Sequence, residues 1–311
     1  MTRVVCIGEC MVELRAMGED SFARSYAGDV YNTAVYLKRS LPNAQVQFVS
    51  ATGDDAMSGA MRRAWRADGI DDALAFTVAG GSPGLYLIET DEFGERRFQY
   101  WRSNSAARRW LTLLQKEGEA VLWGADIVYF SGISLAILGT EERQEAIELM
   151  RRLRSRVGRI AFDPNVRVKL WQSSKIAAAN IIAAISVCDI LLPSTEDLSW
   201  LFNLDQPLPQ MDLLREMGVI EVALTLGSAG CAVSDARMRV QLLSPAVNRV
   251  VDTSGAGDAF NGAYLASRLQ GSTPTEAAEA GLLVASRVVA HAGAIVPACV
   301  SHPLGNEKPC A

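Results

Sequence analysis

The run Asp252-Thr253-Ser254-Gly255-Ala256-Gly257-Asp258-Ala259-Phe260 sets a carboxylate behind a turn built of small residues. It follows apolar Val247, Val250 and Val251, which read as a short strand, and opens a helical period through Phe260, Ala263, Tyr264 and Ser267. Small side chains at Gly255, Ala256 and Gly257 let successive backbone N–H groups converge at the start of that helix. The first N–H groups of a helix lack intrahelical acceptors and lie at its positive end, so such a turn favours an anion such as phosphate. Asp258 stands just behind them, where its carboxylate can take the proton of a hydroxyl attacking that phosphate. The plainer reading is a strand–turn–helix joint in which Asp258 only caps the helix.

Two further groups of residues bear on what would be bound. Tyr100 and Arg102 are two apart on a predicted strand and therefore project from one face, with Tyr86 on the facing strand able to join them. Two phenols and a guanidinium offer stacking area, hydroxyl donors and a fork for a carboxylate. Separately, Phe162-Asp163-Pro164-Asn165-Val166-Arg167 closes a predicted parallel strand. Pro164 stops the ladder, and the loop after it faces the ligand crevice with Arg167. One exposed Arg is ordinarily a solvated charge. Two on elements expected to converge suit an acid, and a neutral sugar requires neither. A second glycine run, Thr225-Leu226-Gly227-Ser228-Ala229-Gly230, leaves a strand and enters a hairpin; by itself it reads as a turn.

The elements that would position these groups alternate. Val4 to Leu14 reads as a first strand, Asp29 to Arg39 as a helix, Val46 to Ala51 as a strand and Met57 to Ala67 as a helix. Apolar runs at Ile127 to Phe130, Ile160 to Phe162, Ile190 to Leu192 and Val222 to Leu226 are spaced by helical stretches such as Glu141 to Arg154 and Ile176 to Ser186. Alternation of this kind implies an α/β fold, a mostly parallel sheet with helices on both faces. Gly84 to Thr90 and Arg96 to Ser103 break the pattern: no helix separates them, and the turn-rich residues 91–95 join them as a hairpin. They are expected to form a small lid over the strand ends, where open α/β sheets bind ligands. A second hairpin, Cys231 to Ser234 with Met238 to Leu243, is expected at the sheet edge. The chain thus reads as one domain over 1–304, with a β lid from about 10–30 and 83–106, and a tail at 305–311.

Composition narrows the function classes. The 311 residues are 49% hydrophobic and 21% charged, a globular balance that can bury a large core. A formal net charge of −5 argues against nucleic acid as a partner. Cys6, Cys10, Cys188, Cys231, Cys299 and Cys310 show no Cys-x-x-Cys spacing, and His291 and His302 are the two histidines, so a zinc site is not expected. Cys6 and Cys10 read as buried thiols on one strand face. The sequence opens directly into a strand, and no apolar run reaches membrane-spanning length, which suits a cytoplasmic protein. A Walker-type Gly-x-x-x-x-Gly-Lys run and the protein-kinase motifs are both missing, and Ile7-Gly8-Glu9-Cys10 lacks the dinucleotide-binding fingerprint.

The Asp258 run with its flanks resembles the C-terminal signature of ribokinase-family (PfkB-type) sugar kinases, and the resemblance extends from Gly8-Glu9 to the last helix. It implies a ribokinase-like three-layer α/β/α sandwich with a β lid, ATP with Mg²⁺, Asp258 as base, and Gly255, Ala256 and Gly257 as the anion hole. It implies that Thr225, Gly227, Ser228 and Gly230 line the nucleotide, with Ser194 beside them. In Ala27-Gly28-Asp29-Val30-Tyr31-Asn32, the positions Gly28, Asp29 and Asn32 match the family's sugar contacts, and Ala27 replaces the first glycine of the usual pair. Where the family carries Asn-x-x-Glu, this chain has Ser194-Thr195-Glu196-Asp197, leaving Glu196 and Asp197 as candidate metal carboxylates. Tyr86, Tyr100, Arg102 and Arg167 make the chain most similar to the 2-keto-3-deoxygluconate kinase branch, which implies transfer to the terminal hydroxyl of that keto acid. Kinases of fructose, ribose or the C4-epimeric acid, and a non-catalytic regulator of the same fold, are the alternatives. The resemblance also admits a monovalent-cation site near Asp252, and the exposed lid suggests a homo-oligomer.

Overall fold

In β1 (Arg3–Ile7), Val4 and Cys6 alternate with Val5 and Ile7, and all four are fully buried. A strand apolar on both faces belongs in the middle of a covered parallel sheet, and β1 lies there. The computed structural model describes residues 1–18, 20–90 and 96–301. The predicted turn at 91–95 and tail at 305–311 lie outside them.

The other strands are β2 (Met11–Ala16), β3 (Phe22–Ala27), β4 (Gln45–Gly53), β5 (Ala75–Val78), β6 (Leu85–Thr90), β7 (Arg96–Trp101), β8 (Ile127–Ser131), β9 (Arg159–Asp163), β10 (Ile190–Leu191), β11 (Glu221–Thr225), β12 (Cys231–Ser234) and β13 (Arg239–Leu242). The large sheet runs β13-β12-β11-β10-β9-β8-β1-β4-β5. Every pair from β11 to β5 is parallel, and the β12–β13 hairpin closes one edge in antiparallel fashion. Val5 and Ile7 pack with Trp110, Phe130 and Phe162 on one side; Val4 and Cys6 pack with Tyr31, Phe48, Trp65 and Phe260 on the other. The expected three layers are therefore present, with a core on each side of the sheet.

A second sheet, β3-β2-β6-β7, forms the lid. Its β6–β7 hairpin pairs Tyr86 with Tyr100 and Ile88 with Phe98. Two expectations need correction. The predicted strand Val4 to Leu14 is two strands in different sheets, because the chain leaves the large sheet at Gly8 and enters the lid at Met11. Cys6 and Cys10 are consequently both buried but share no strand face. The apolar residues before the Asp258 run also form no strand. Val250 and Val251 are exposed, and the Val251 N–H donates to Val289 O rather than to a neighbouring strand, since β13 already ends the sheet. Apolar residues alone do not supply a ladder partner.

The helix Ala256–Leu269, which carries Asp258, packs along the helix Asp29–Ser40 and is anchored at its far end by buried Glu221. The Glu221 carboxylate accepts from Tyr264 Oη at 2.7 Å, from Arg268 Nε and Nη2 at 2.8 Å each, and from Arg159 Nη1 at 2.9 Å. Burial pushes this carboxyl up, but the Arg268 and Tyr264 hydrogen bonds and the two Arg charges outweigh it and hold it below its usual range. Its stabilising contribution is thus present above the ordinary glutamate range and lost as pH falls through the lowered value. Glu221→Ala strands a buried guanidinium and phenol and should cost about 3–5 kcal/mol in denaturant titration. Turnover per folded molecule should be unchanged, because the anchor lies at the opposite end of the helix from Asp258.

Candidate active site

Gly255 is the N-cap of the helix Ala256–Leu269, with φ 73°. A Cβ there would lie 2.4 Å from Ala294 O, so both the left-handed backbone and the close approach require glycine. Asp252 braces the turn by accepting from Ser254 N at 2.8 Å and from Gly293 N at 2.7 Å. Ala259 N donates to Gly255 O at 2.8 Å, whereas the Ala256 N–H turns back to Thr253 O at 3.3 Å. The Gly257 and Asp258 N–H groups head the helix as its orphan donors. Ala256 is therefore the weakest of the three expected anion-hole positions.

Asp258 is half-buried, and its Oδ2 accepts from Asn32 Nδ2 at 2.8 Å. Asn32 is fixed in the first turn of its helix: its N–H donates to Gly28 O at 2.7 Å, and its Oδ1 accepts from Gly28 N at 3.3 Å. Burial, followed by the charge of Asp29, pushes the Asp258 carboxyl up to about 7, against the opposing Asn32 bond and Arg167 charge. A carboxyl so poised exchanges a proton near neutrality.

The Arg167 loop converges on the same place. Asn165, with φ 32°, donates from Nδ2 to Asp29 Oδ2 at 2.7 Å and from its N–H to Asp163 Oδ1 at 2.9 Å. Asp163 ends β9 and also accepts from Asn261 Nδ2 at 2.9 Å, tying the loop to the Asp258 helix. Burial, then the charges of Asp197, Asp29 and Asp258, push the Asp163 carboxyl well above its usual range. Arg167 is exposed, donates to Val166 O at 3.3 Å, and acts on Asp258 through its charge. Gly28, Asp29, Asn32, Arg167 and Asp258 thus belong to one cluster. Asp163, Asn165 and Asn261 belong to it too and were not picked out by sequence reasoning; the Asp-Pro-Asn run was the available signal for the first two.

The lid face opposite carries Tyr86 and Tyr100, whose rings stack with centroids 5.7 Å apart. Tyr86 is buried beside Met11, Ala27 and Ile88, and this patch packs against Ala294, the neighbour of Gly255. The Tyr86 hydroxyl donates to Glu13, which also accepts from Ser25 Oγ at 2.8 Å; burial and then the Glu13 charge push the phenol far up, so it remains a donor. Tyr100 is exposed. Arg102, just past β7, forms an ion pair with buried Glu9. Glu9 and Glu13 were also missed by sequence reasoning, since each reads as an ordinary strand residue.

On the other side, Ser194 and Thr225 bridge at the ends of adjacent parallel strands. Gly227 and Ser228 follow in an exposed turn, and Gly230 is buried against Leu242. Thr225 ends β11, two strands from Asp163 on β9, or about 10 Å across the sheet. Both groups sit at the carboxyl ends of the parallel strands, where open α/β sheets bind ligands. Ser194 caps the helix Thr195–Phe202 by accepting from Asp197 N at 3.1 Å. The Asp197 carboxylate is fully engaged, accepting from Val166 N at 2.7 Å, Ser194 Oγ at 2.8 Å and Ser194 N at 3.1 Å. Glu196 is exposed beside it. Among the described residues, no group of three or more His, Cys, Asp and Glu is arranged to hold a metal ion. Asp197 is thus engaged as a cap, which leaves Glu196 as the candidate carboxylate with an exposed side chain.

The pfkB family carbohydrate kinase model matches residues 1–299. The chain is 38% identical to the 2-dehydro-3-deoxygluconokinase of Dickeya dadantii (strain 3937), over 94% of this chain and 96% of that protein. It is 37% identical to the protein of the same name from Escherichia coli (strain K12), over 95% and 97%. The crystal structure of aminoimidazole riboside kinase from Salmonella enterica, complexed with aminoimidazole riboside and an ATP analog, superposes with a TM-score of 0.82 at 23% identity, over 98% of this chain and 100% of that one. That likeness bears on the fold: a large, mostly parallel sheet with a smaller sheet over it. Matched along nearly its whole length, the chain belongs to the pfkB family of carbohydrate kinases.

Proposed function

We propose that this protein transfers the γ-phosphoryl group of ATP to the terminal hydroxyl of 2-keto-3-deoxygluconate, giving ADP and 2-keto-3-deoxy-6-phosphogluconate. The observation that carries the reading is the Asp258 carboxylate, held by Asn32 in the first turn of a helix whose leading N–H groups lack intrahelical acceptors, with burial raising the carboxyl to about 7. In this mechanism the terminal O–H gives its proton to the Asp258 carboxylate as its oxygen bonds to the γ-phosphorus. The bond from that phosphorus to the β,γ-bridging oxygen breaks, and ADP departs. Gly255 shapes the turn that aims the donors at the transferring group, which works because they are fixed before reaction. Gly28, Asp29 and Asn32 hold the sugar end beside Asp258. Tyr86 and Tyr100 cover the chain of the acid, and Arg102 and Arg167 take its carboxylate. Ser194, Thr225, Gly227, Ser228 and Gly230 line the nucleotide. ATP would bring Mg²⁺ to neutralise charge on the transferring phosphates, held mainly by phosphate oxygens and water, with exposed Glu196 as the side chain that could add a contact. A monovalent cation near Asp252, a cytoplasmic location, and pairing of two chains through the exposed lid complete the reading.

The Glu9–Arg102 pair favours a second reading, a kinase of a neutral sugar, because it offsets one of the two positive charges. ADP release with Mg-ATP separates the two. Turnover on 2-keto-3-deoxygluconate and its C4 epimer, with the neutral sugars fructose and ribose at least about 100-fold lower in kcat/KM, is expected from acid-selecting arginines. Turnover on fructose or ribose instead would keep the kinase and discard the acid. Nucleotide binding with no turnover on any of them would leave a kinase of another substrate or a regulator of the same fold.

A further inference from the structure

Four stretches of chain join the lid to the large sheet, and all four meet at Glu9. Glu9 itself lies on the crossing from β1 to β2 and is 1% exposed. Arg102 and Ser105, on the crossing that leaves β7, both donate to its carboxylate. On the crossing that enters β6, Gly84 lies so near that a Cβ would stand 2.9 Å from Glu9 Oε1. After β3, Gly28 leaves no more room: a Cβ there would stand 2.2 Å from Glu9 O. The Arg102 Nε is buried and has no hydrogen-bond partner.

A carboxylate paired with an arginine that receives an acid opposes the acid's charge, so its use is geometric. A free arginine side chain loses considerable rotamer freedom when it closes on a ligand. Holding the guanidinium by one edge removes that loss before binding and leaves other donors for the incoming group. We infer that Glu9 is a positioning residue: it clamps Arg102 toward the acid and ties that aim to the junction where the lid joins the large sheet. This rests on the reading of Arg102 as a contact for the acid.

Calorimetric titration of the full chain with 2-keto-3-deoxygluconate, and separately with a non-hydrolysable ATP analogue, tests it in a double-mutant cycle. Arg102→Ala and Glu9→Ala should each weaken the acid by about 10- to 100-fold, the range for losing a charged hydrogen bond, and leave the nucleotide unchanged. The double variant should be no weaker than either single one. Glu9→Gln, whose oxygen still accepts from Arg102 and whose amide donates to Ser105, should stay within about threefold of the parent. Normal acid binding by Glu9→Ala, or losses that multiply in the double variant, overturns the clamp while Arg102 remains a contact. Normal acid binding by Arg102→Ala overturns the reading beneath it. Should Glu9→Ala fail to fold, Ser105→Ala loosens the same carboxylate from one side. It should weaken the acid roughly threefold without affecting the nucleotide, and unchanged acid binding would overturn the clamp.

Discussion

Asp258→Asn should lower kcat by about 10²- to 10⁴-fold, the usual loss for a positioned base, with acid and ATP affinities retained. The asparagine keeps the volume and still accepts from Asn32 through Oδ1, so the site geometry survives and only the proton acceptor is lost. For the parent enzyme, kcat/KM should rise with pH through about 7 and level off above it, as the carboxyl ionises. The variant should lack that limb. Stability should move in the opposite direction. The carboxyl ordinarily ionises near 3.8, and raising it to about 7 means that the folded state binds the proton more tightly than the unfolded state. Its contribution is therefore fully favourable below 3.8 and is lost as pH rises through 7. Asp258→Asn should accordingly melt a few degrees above the parent at pH 8, with the gap closing toward pH 4. Equal melting curves at pH 8 would mean that the carboxyl is not raised.

Gly257→Ala should give a protein that is more stable and much less active. Gly257 is exposed, has no positive φ, and a Cβ there meets nothing within 4 Å, so the fold does not require glycine. Alanine in the first turn of a helix should add up to about 1 kcal/mol in chemical denaturation. Its methyl group, however, would occupy the space over the orphan N–H donors. Holding a phosphate roughly 1 Å off its place costs about 10²-fold in rate. Parent-like kcat in Gly257→Ala would remove the helix head from the mechanism. Gly255→Ala makes the contrast, because there the left-handed backbone and the contact with Ala294 O penalise folding itself.

Much of this was legible in the sequence, for identifiable reasons. Val4 to Ile7, Ile127 to Phe130 and Ile160 to Phe162 are short apolar runs between helical stretches, and the parallel sheet follows from that rhythm. The Asp258 turn was legible only through the full Asp252–Phe260 run and its resemblance to a family signature, since glycines followed by an acid are by themselves an ordinary helix start. The break at Gly8–Cys10 was not, since β1 and β2 are both apolar and nothing local says that they belong to different sheets. Nor was the segment at Val250 and Val251, whose strand-like composition has no edge to join. Glu9, Glu13 and Asp163 escaped for a related reason. Each acquires its meaning from a partner far along the chain, Arg102, Tyr86 and Asn261 respectively. Asp197 shows the converse, a carboxylate in a promising place that the capping box and the Val166 N–H together engage.

The most direct measurement is ³¹P and ¹³C NMR of 2-keto-3-deoxygluconate incubated with Mg-ATP and either the parent chain or Asp258→Asn. The account predicts one new phosphate ester, coupled to C6, formed with stoichiometric ADP by the parent and at a small fraction of that rate by the variant. An ester at another carbon, or equal rates for the two proteins, would contradict it.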